Sequence, residues 1–150
     1  MQSYQRPKTL YRYDAPDQLE RALREGEFRL RPADGCLVLS FCTKWQPERF
    51  DAFAGIESCL VIHNTELFGE RLHRAVQRVL PDWMGIDGIV EYGTRSPLGA
   101  LFSKPAGERK EKEWQFAWRS VQAQSTSPII VKIGNIEQFA EIKGADAHVN

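Results

Sequence analysis

The stretch Glu113-Trp114-Gln115-Phe116-Ala117-Trp118-Arg119 constrains the fold more than any other part of the chain. Trp114, Phe116 and Trp118 recur at period two, the spacing that puts side chains on one face of a β-strand. Three large aromatics on one face need an apolar layer to cover them. The chain offers one in Phe68, Leu72, Ala75, Val76 and Val79, which form the inner stripe of a helix capped by Asn64 or Thr65 and stopped by Pro81. Ahead of the aromatic strand runs the charged segment Arg109-Lys110-Glu111-Lys112. Glu111 and Glu113 are two apart, so a strand starting early enough sends both carboxylates to the same side of the chain.

A second strong strand is the nearly continuous apolar run Cys36 to Thr43, interrupted only by Ser40, and a third is Ser58 to His63. Thr9 to Tyr13 and Glu27 to Arg31 alternate as half-exposed strands. Between them Pro16, Leu19, Ala22, Leu23 and Gly26 mark a helix with a left-handed end, and Asp14 is its candidate cap. Gly88 to Tyr92 is a short strand, and Thr94 to Gly107 carries the Pro and Gly content of a loop. Ser125 to Pro128 turns the chain into the strand Ile129 to Ile133. Ile136, Phe139, Ala140 and Ile142 then fit a short helix. The sum is a single α+β domain over residues 1–150, with a mixed or antiparallel sheet of about six strands and two to three helices. Residues 1–8 and 143–150 are expected to be flexible.

Lys plus Arg number 20 and so do Asp plus Glu, so the formal net charge is zero. That speaks against sequence-specific or generic nucleic-acid binding, which draws its affinity from a basic surface. No apolar run approaches a membrane span and no signal-peptide pattern is present, so no membrane partner and a cytoplasmic location are expected. Cys36, Cys42 and Cys59 are odd in number, sit among apolar residues and read as reduced thiols without disulfides. His63, His73 and His148 lack ligand spacing, so no metal is expected.

Three polar groups fall on core strands or at their ends, where an ionised side chain is costly unless paired. They are Arg12, Ser40 and the Glu111/Glu113 pair, and they are the candidates to face a common cleft. Trp45, Phe50 and Phe53 are available as packing or pocket residues. A Cys42/His63 nucleophile pair is a weaker constellation.

The order of these groups resembles the ADP-ribosyltransferase superfamily, which carries an Arg on the first strand, a Ser/Thr-rich middle strand and a glutamate on a late strand. Tyr11-Arg12-Tyr13, Ser40-Phe41-Cys42-Thr43 and Glu111-Lys112-Glu113 stand in those places, with Cys42 where that superfamily has Ser or Thr. The chain is also similar to a bacterial domain family of unknown function, through Leu10 to Tyr13, Leu39 to Cys42, Phe102 to Lys104 and Glu111 to Phe116. The resemblance implies an ADP-ribosyltransferase-like fold and NAD as substrate, with no metal. It further implies Glu113, Glu111 and Ser40 as catalytic residues and Arg12, Tyr11 and Trp45 as cofactor-binding residues. In that scheme Ser40 orients Glu113, and Glu111 serves the acceptor. The alternative is a non-enzymatic bacterial or phage interaction protein, of antitoxin, immunity or anti-defence type, on an α+β scaffold. The partner is then a protein rather than a small nucleotide.

Overall fold

A computed structural model describes residues 5–52, 56–122 and 127–144. Phe53, the turn beginning at Ser125, His148 and the outermost parts of both flexible ends lie outside the described residues. The chain forms β1 (Leu10–Asp14), α1 (Pro16–Glu25), β2 (Glu27–Ala33), β3 (Cys36–Cys42), α2 (Arg49–Ala52), β4 (Ser58–Ile62) and α3 (Thr65–Val79). It continues with β5 (Trp83–Ile89), β6 (Glu91–Tyr92), β7 (Ser103–Lys104), β8 (Glu113–Ser120), β9 (Ile129–Lys132) and β10 (Ala140–Gly144). Two 3-10 turns, Ala100–Phe102 and Ala106–Glu111, flank β7.

Eight strands make one antiparallel sheet of an α+β domain. Its path runs β10-β4-β1-β3-β2-β9, while β8 lies along the other side of β3 and carries β5. The pairing of β3 with β8 is continuous, from Cys36↔Arg119 to Cys42↔Glu113. On its opposite side β3 is shared. β2 covers Cys36 to Val38, and β1 meets it only at Tyr11↔Cys42. The two neighbours therefore diverge and leave a split in the sheet beside Leu39, Ser40 and Phe41. β6 and β7 form a separate parallel pair.

One face of the sheet holds the main core. Trp114, Phe116 and Trp118 are all buried there, and Phe68 of α3 meets Phe116 edge-on at 5.9 Å. Phe28 and Phe41 complete an edge-to-face cluster around Phe68, with ring centroids 5.3 Å from it. Truncating one of these rings to Ala costs about 3–5 kcal/mol. α1 ends at Gly26, whose positive φ of 63° caps the helix. A Cβ at Gly26 would also lie 2.2 Å from the Gly134 carbonyl, so only glycine fits. On the opposite face, irregular segments with single helical turns take the place of long helices. Trp45 and Phe50 pack on Tyr11, Cys42, Cys59 and Val61, while Leu98 and Leu101 pack on Val38, Phe102 and Ala117.

Several sequence expectations are corrected. Ala140 and Ile142 belong to β10, paired with Ile62 and Leu60, and not to a helix. Asp14 does not reach into α1; its Oδ1 accepts from the adjacent Ala15 N–H at 2.8 Å, and Pro16 opens the helix. The arm is not loose where it is described. Arg6 forks onto Asp87 at 2.7 and 2.8 Å, and the Thr65 hydroxyl donates to the Pro7 carbonyl. Lys143 and Gly144 likewise pair with Cys59 and Ser58. The three cysteines are free and buried. No helix among the described residues is long and apolar enough to cross a membrane.

Candidate functional site

At the end of β3 and β8, bordered by Arg49, Lys104 and Glu111 of the connecting segments, lies a cleft of about 320 Å³. Its walls include Tyr11, Arg12, Ser40, Glu111 and Glu113, five of the six residues singled out from sequence. Trp45 is the exception. It does not line the cleft but packs behind it, 6.2 Å from Tyr11 and 6.0 Å from Tyr13.

Glu113 opens β8 opposite Cys42 and is buried. Lys104 of β7 donates to its Oε1 at 2.7 Å, and the Tyr92 hydroxyl of β6 donates to the same oxygen at 3.1 Å. The Tyr92 oxygen in turn accepts the Glu113 amide at 3.0 Å, so one phenol fixes both ends of this residue. Burial alone pushes the Glu113 carboxyl up, but bonds from Glu111, Lys104 and Tyr92 outweigh it and hold the group below its usual range. Glu111 moves the other way. Its bond to Glu113, then burial and the like charge, push it up, and this carboxyl is the one that keeps a proton longer. Lys104 bridges the two, 3.6 Å from Glu111.

Glu111 does not share a strand with Glu113, contrary to the simplest reading of their spacing. It ends a 3-10 turn, and Lys112 between them adopts a left-handed φ of 45°. That turn, not strand alternation, aims both carboxylates into one cleft. The segment is gripped from the side. The Thr43 amide and hydroxyl both donate to the Lys112 carbonyl at 2.8 and 3.0 Å. Gln46 donates to the Lys110 carbonyl at 2.6 Å, and Arg49 to that of Glu111 at 3.2 Å.

Ser40 is not beside Glu113. Register places it opposite Gln115, and its hydroxyl donates to the Gln115 Oε1 at 3.3 Å. Arg12 leaves the sheet on the face of Leu10 and lies over the Phe41 ring, not on the face of Tyr11 and Glu113. Its guanidinium nonetheless enters the split between β1 and β2, donates to the Ser40 carbonyl at 2.9 Å and lines the cleft from below. Burial lowers its pKa; the Asp14 charge opposes this and the Arg31 charge adds to it. Arg12 and Arg31 also line a second cavity of about 430 Å³ on the α1 side, so two hollows adjoin at these arginines.

The cleft thus sets Arg12, Arg31, Arg49 and Lys104 around two carboxylates, an arrangement with a surplus of positive charge. Tyr92, Arg31 and Arg49 escaped the sequence reading. Lys104 entered it only as part of a similar segment. Cys42 lines the cleft too, but burial raises its thiol to about 11, and β1 lies between β3 and β4, so Cys42 and His63 are not on neighbouring strands and do not form the pair expected from sequence. Among the described residues no group of three His, Cys, Asp or Glu is placed to hold a metal ion. No family model, curated protein or solved structure matches the chain.

Proposed function

We propose that this chain is an ADP-ribosyltransferase-like protein that cleaves the nicotinamide–ribose bond of NAD, using Glu113 and Glu111 in a cation-lined cleft. The observation that carries the reading is the carboxylate pair. One member is held ionised by Lys104 and Tyr92 and the other is pushed toward its protonated form, within a cleft that also presents Arg12, Arg31 and Arg49. Pairs of acids driven apart in this way divide the work of an acid–base reaction.

In this scheme the arginines meet the diphosphate by charge-assisted bonds. Glu113, already fixed at Oε1, accepts a ribose hydroxyl at its second oxygen and stabilises the oxocarbenium-like transition state. The bond from the anomeric carbon to the pyridinium nitrogen breaks, its electron pair neutralises the ring, and nicotinamide leaves. An acceptor then attacks the anomeric carbon, and Glu111 in its ionised form, the stronger base of the pair because its pKa is raised, takes the proton released; water attacking instead releases its proton to solvent. Ser40 acts here through Gln115 and its backbone carbonyl, not on Glu113. Tyr11 and, behind it, Trp45 supply the aromatic floor.

The test is nicotinamide release from NAD, followed chromatographically. The wild-type protein should release it, and Glu113→Gln, which keeps volume and removes charge, should slow release at least about 100-fold. Glu111→Gln should spare hydrolysis and impair transfer to an acceptor. Undiminished turnover in Glu113→Gln, or none in the wild type, overturns the proposal. A second reading, an interaction protein without catalysis, is favoured by one observation: Lys104 already neutralises Glu113 at 2.7 Å. It predicts NAD-independent partner binding that survives Glu113→Gln.

A further inference from the structure

The five exposed large apolar residues among the described residues are not scattered. Met84 and Ile86 stand on β5 itself, 67% and 46% exposed, and Val79 and Val121 flank its beginning, leaving Ile130 alone on β9. The Val121 amide donates to the Asp82 carbonyl at 3.3 Å, which ties that valine to the entry of β5. Met84 and Ile86 also share a face, where with Leu98, Leu101, Phe102 and Ala117 they line a largely apolar hollow of about 470 Å³. A concentrated apolar surface of this kind needs a cover.

The backbone specifies the cover. β5 pairs with β8 on one side and, among the described residues, with no strand on the other, so one row of its amides and carbonyls is open to pairing with an extended chain. Edge strands are commonly guarded by charge. β10 carries Glu141 and Lys143, paired to each other at 3.3 Å, and β9 carries Lys132, which reaches Glu25 and Glu27. β5 has no such guard. Trp83 to Ile86 bear no charge, and the Asp87 carboxylate is turned inward onto Arg6, His73 and Trp114.

We infer that β5 is a dimer edge, on which a second copy of this chain adds its own β5 in antiparallel register to extend the sheet across a two-fold axis near Gly85. A two-fold pairing of this edge is self-complementary. It sets Met84 of one copy against Ile86 of the other on the apolar face and opposes no like charges. The net charge of zero leaves no overall repulsion between copies. The surface is one strand long, so the dimer is reversible and concentration-dependent. It lies apart from the carboxylate cleft and stands whether or not the chain acts on NAD.

Sedimentation equilibrium of the intact chain over a range of concentrations tests this. The wild type should rise from 17.2 kDa toward twice that mass. Met84→Lys and Ile86→Lys should stay monomeric over the same range, with unchanged melting at low concentration, while Ile130→Lys on the other edge should dimerise like the wild type. A wild type that stays monomeric overturns the inference. So do β5 lysine variants that still dimerise, or loss of the dimer in Ile130→Lys.

Discussion

Asp87 and Glu113 are both carboxylates set deep in the sheet, on neighbouring strands, yet they are finished in opposite ways. Asp87 is saturated. Arg6 forks onto both its oxygens, His73 Nε2 donates at 2.8 Å and Trp114 Nε1 at 2.9 Å. His73 is itself used up, since its Nδ1 accepts from Trp118 at 3.1 Å, which fixes the tautomer with the proton on Nε2. Each Asp87 oxygen thus has two donors already. Glu113 has two donors on one oxygen, a second carboxyl, Glu111, bonded to it and an open cleft in front of it. Depth and a histidine partner do not make a site; an incomplete set of partners facing a cavity does.

The comparison is broken most directly by stability measurements on matched amide variants. Asp87→Asn puts an amide donor among existing donors and removes the carboxylate charge opposite Arg6, so it should cost about 3 kcal/mol in chemical denaturation. That corresponds to a fall in melting temperature of roughly 10 °C for a chain of this size. Glu113→Gln keeps an acceptor for Tyr92, and Lys104 retains Glu111, so its cost should be about 1 kcal/mol. Equal losses would abolish the distinction drawn between the two carboxylates.

Acid sharpens it. Burial raises the Asp87 carboxyl, but bonds from His73, Arg6 and Trp114 leave it well below the usual carboxylate range. A depressed group contributes stability that is present above its unfolded pKa and is lost as pH falls toward the folded one. Wild-type stability should therefore decline from about pH 5 downward. Asp87→Asn should lack most of that slope. A parallel decline in both proteins would mean that Asp87 does not carry it. The smallest effect belongs to Glu111, which is 42% exposed at its side chain. Its folded pKa is raised, so its contribution is present in acid and lost as pH rises. Glu111→Gln should change stability at neutral pH by less than about 0.5 kcal/mol.

How much of this was legible from sequence depends on the distance over which each element is decided. The period-two aromatics of β8 and the stripe of α3 were readable because burial acts on each locally, and their partnership follows from complementary faces. β10 was misread because Ile136, Phe139, Ala140 and Ile142 also satisfy a helical spacing, and only β4, far back in the chain, makes Ala140 and Ile142 a strand edge. β5 was largely missed because Gly85, Asp87 and Gly88 have poor strand propensity. Gly85 is there because Trp118 and His73 pack against its backbone, where a Cβ would lie 2.5 Å from the indole. In the site, Arg12, Ser40 and the glutamates stood out as polar residues on core strands. Ser40 was assigned the wrong neighbour because register is a long-range property: it faces Gln115, and Cys42 faces Glu113. Tyr92 and Lys104 sit on two-residue strands and Arg49 on a one-turn helix, where no periodicity marks a side chain, and Arg31 falls among the polar positions of the alternating strand β2.

The split beside Ser40 has a consequence for how the molecule opens. β1, β4 and β10 are joined to each other by full ladders, but β1 meets β3 through the single pair Tyr11↔Cys42. On the other side β2, β3, β8 and β5 form their own ladders, with β9 on β2. The backbone ladders thus fall into two groups sharing a narrow seam, joined across it by one common apolar core, and a seam with one ladder rung is where amide hydrogen exchange should enter first. Any tilt of one group against the other would change the width of the gap in which Arg12 lies, so the same weak line that lets solvent in also sets how wide the cleft can open.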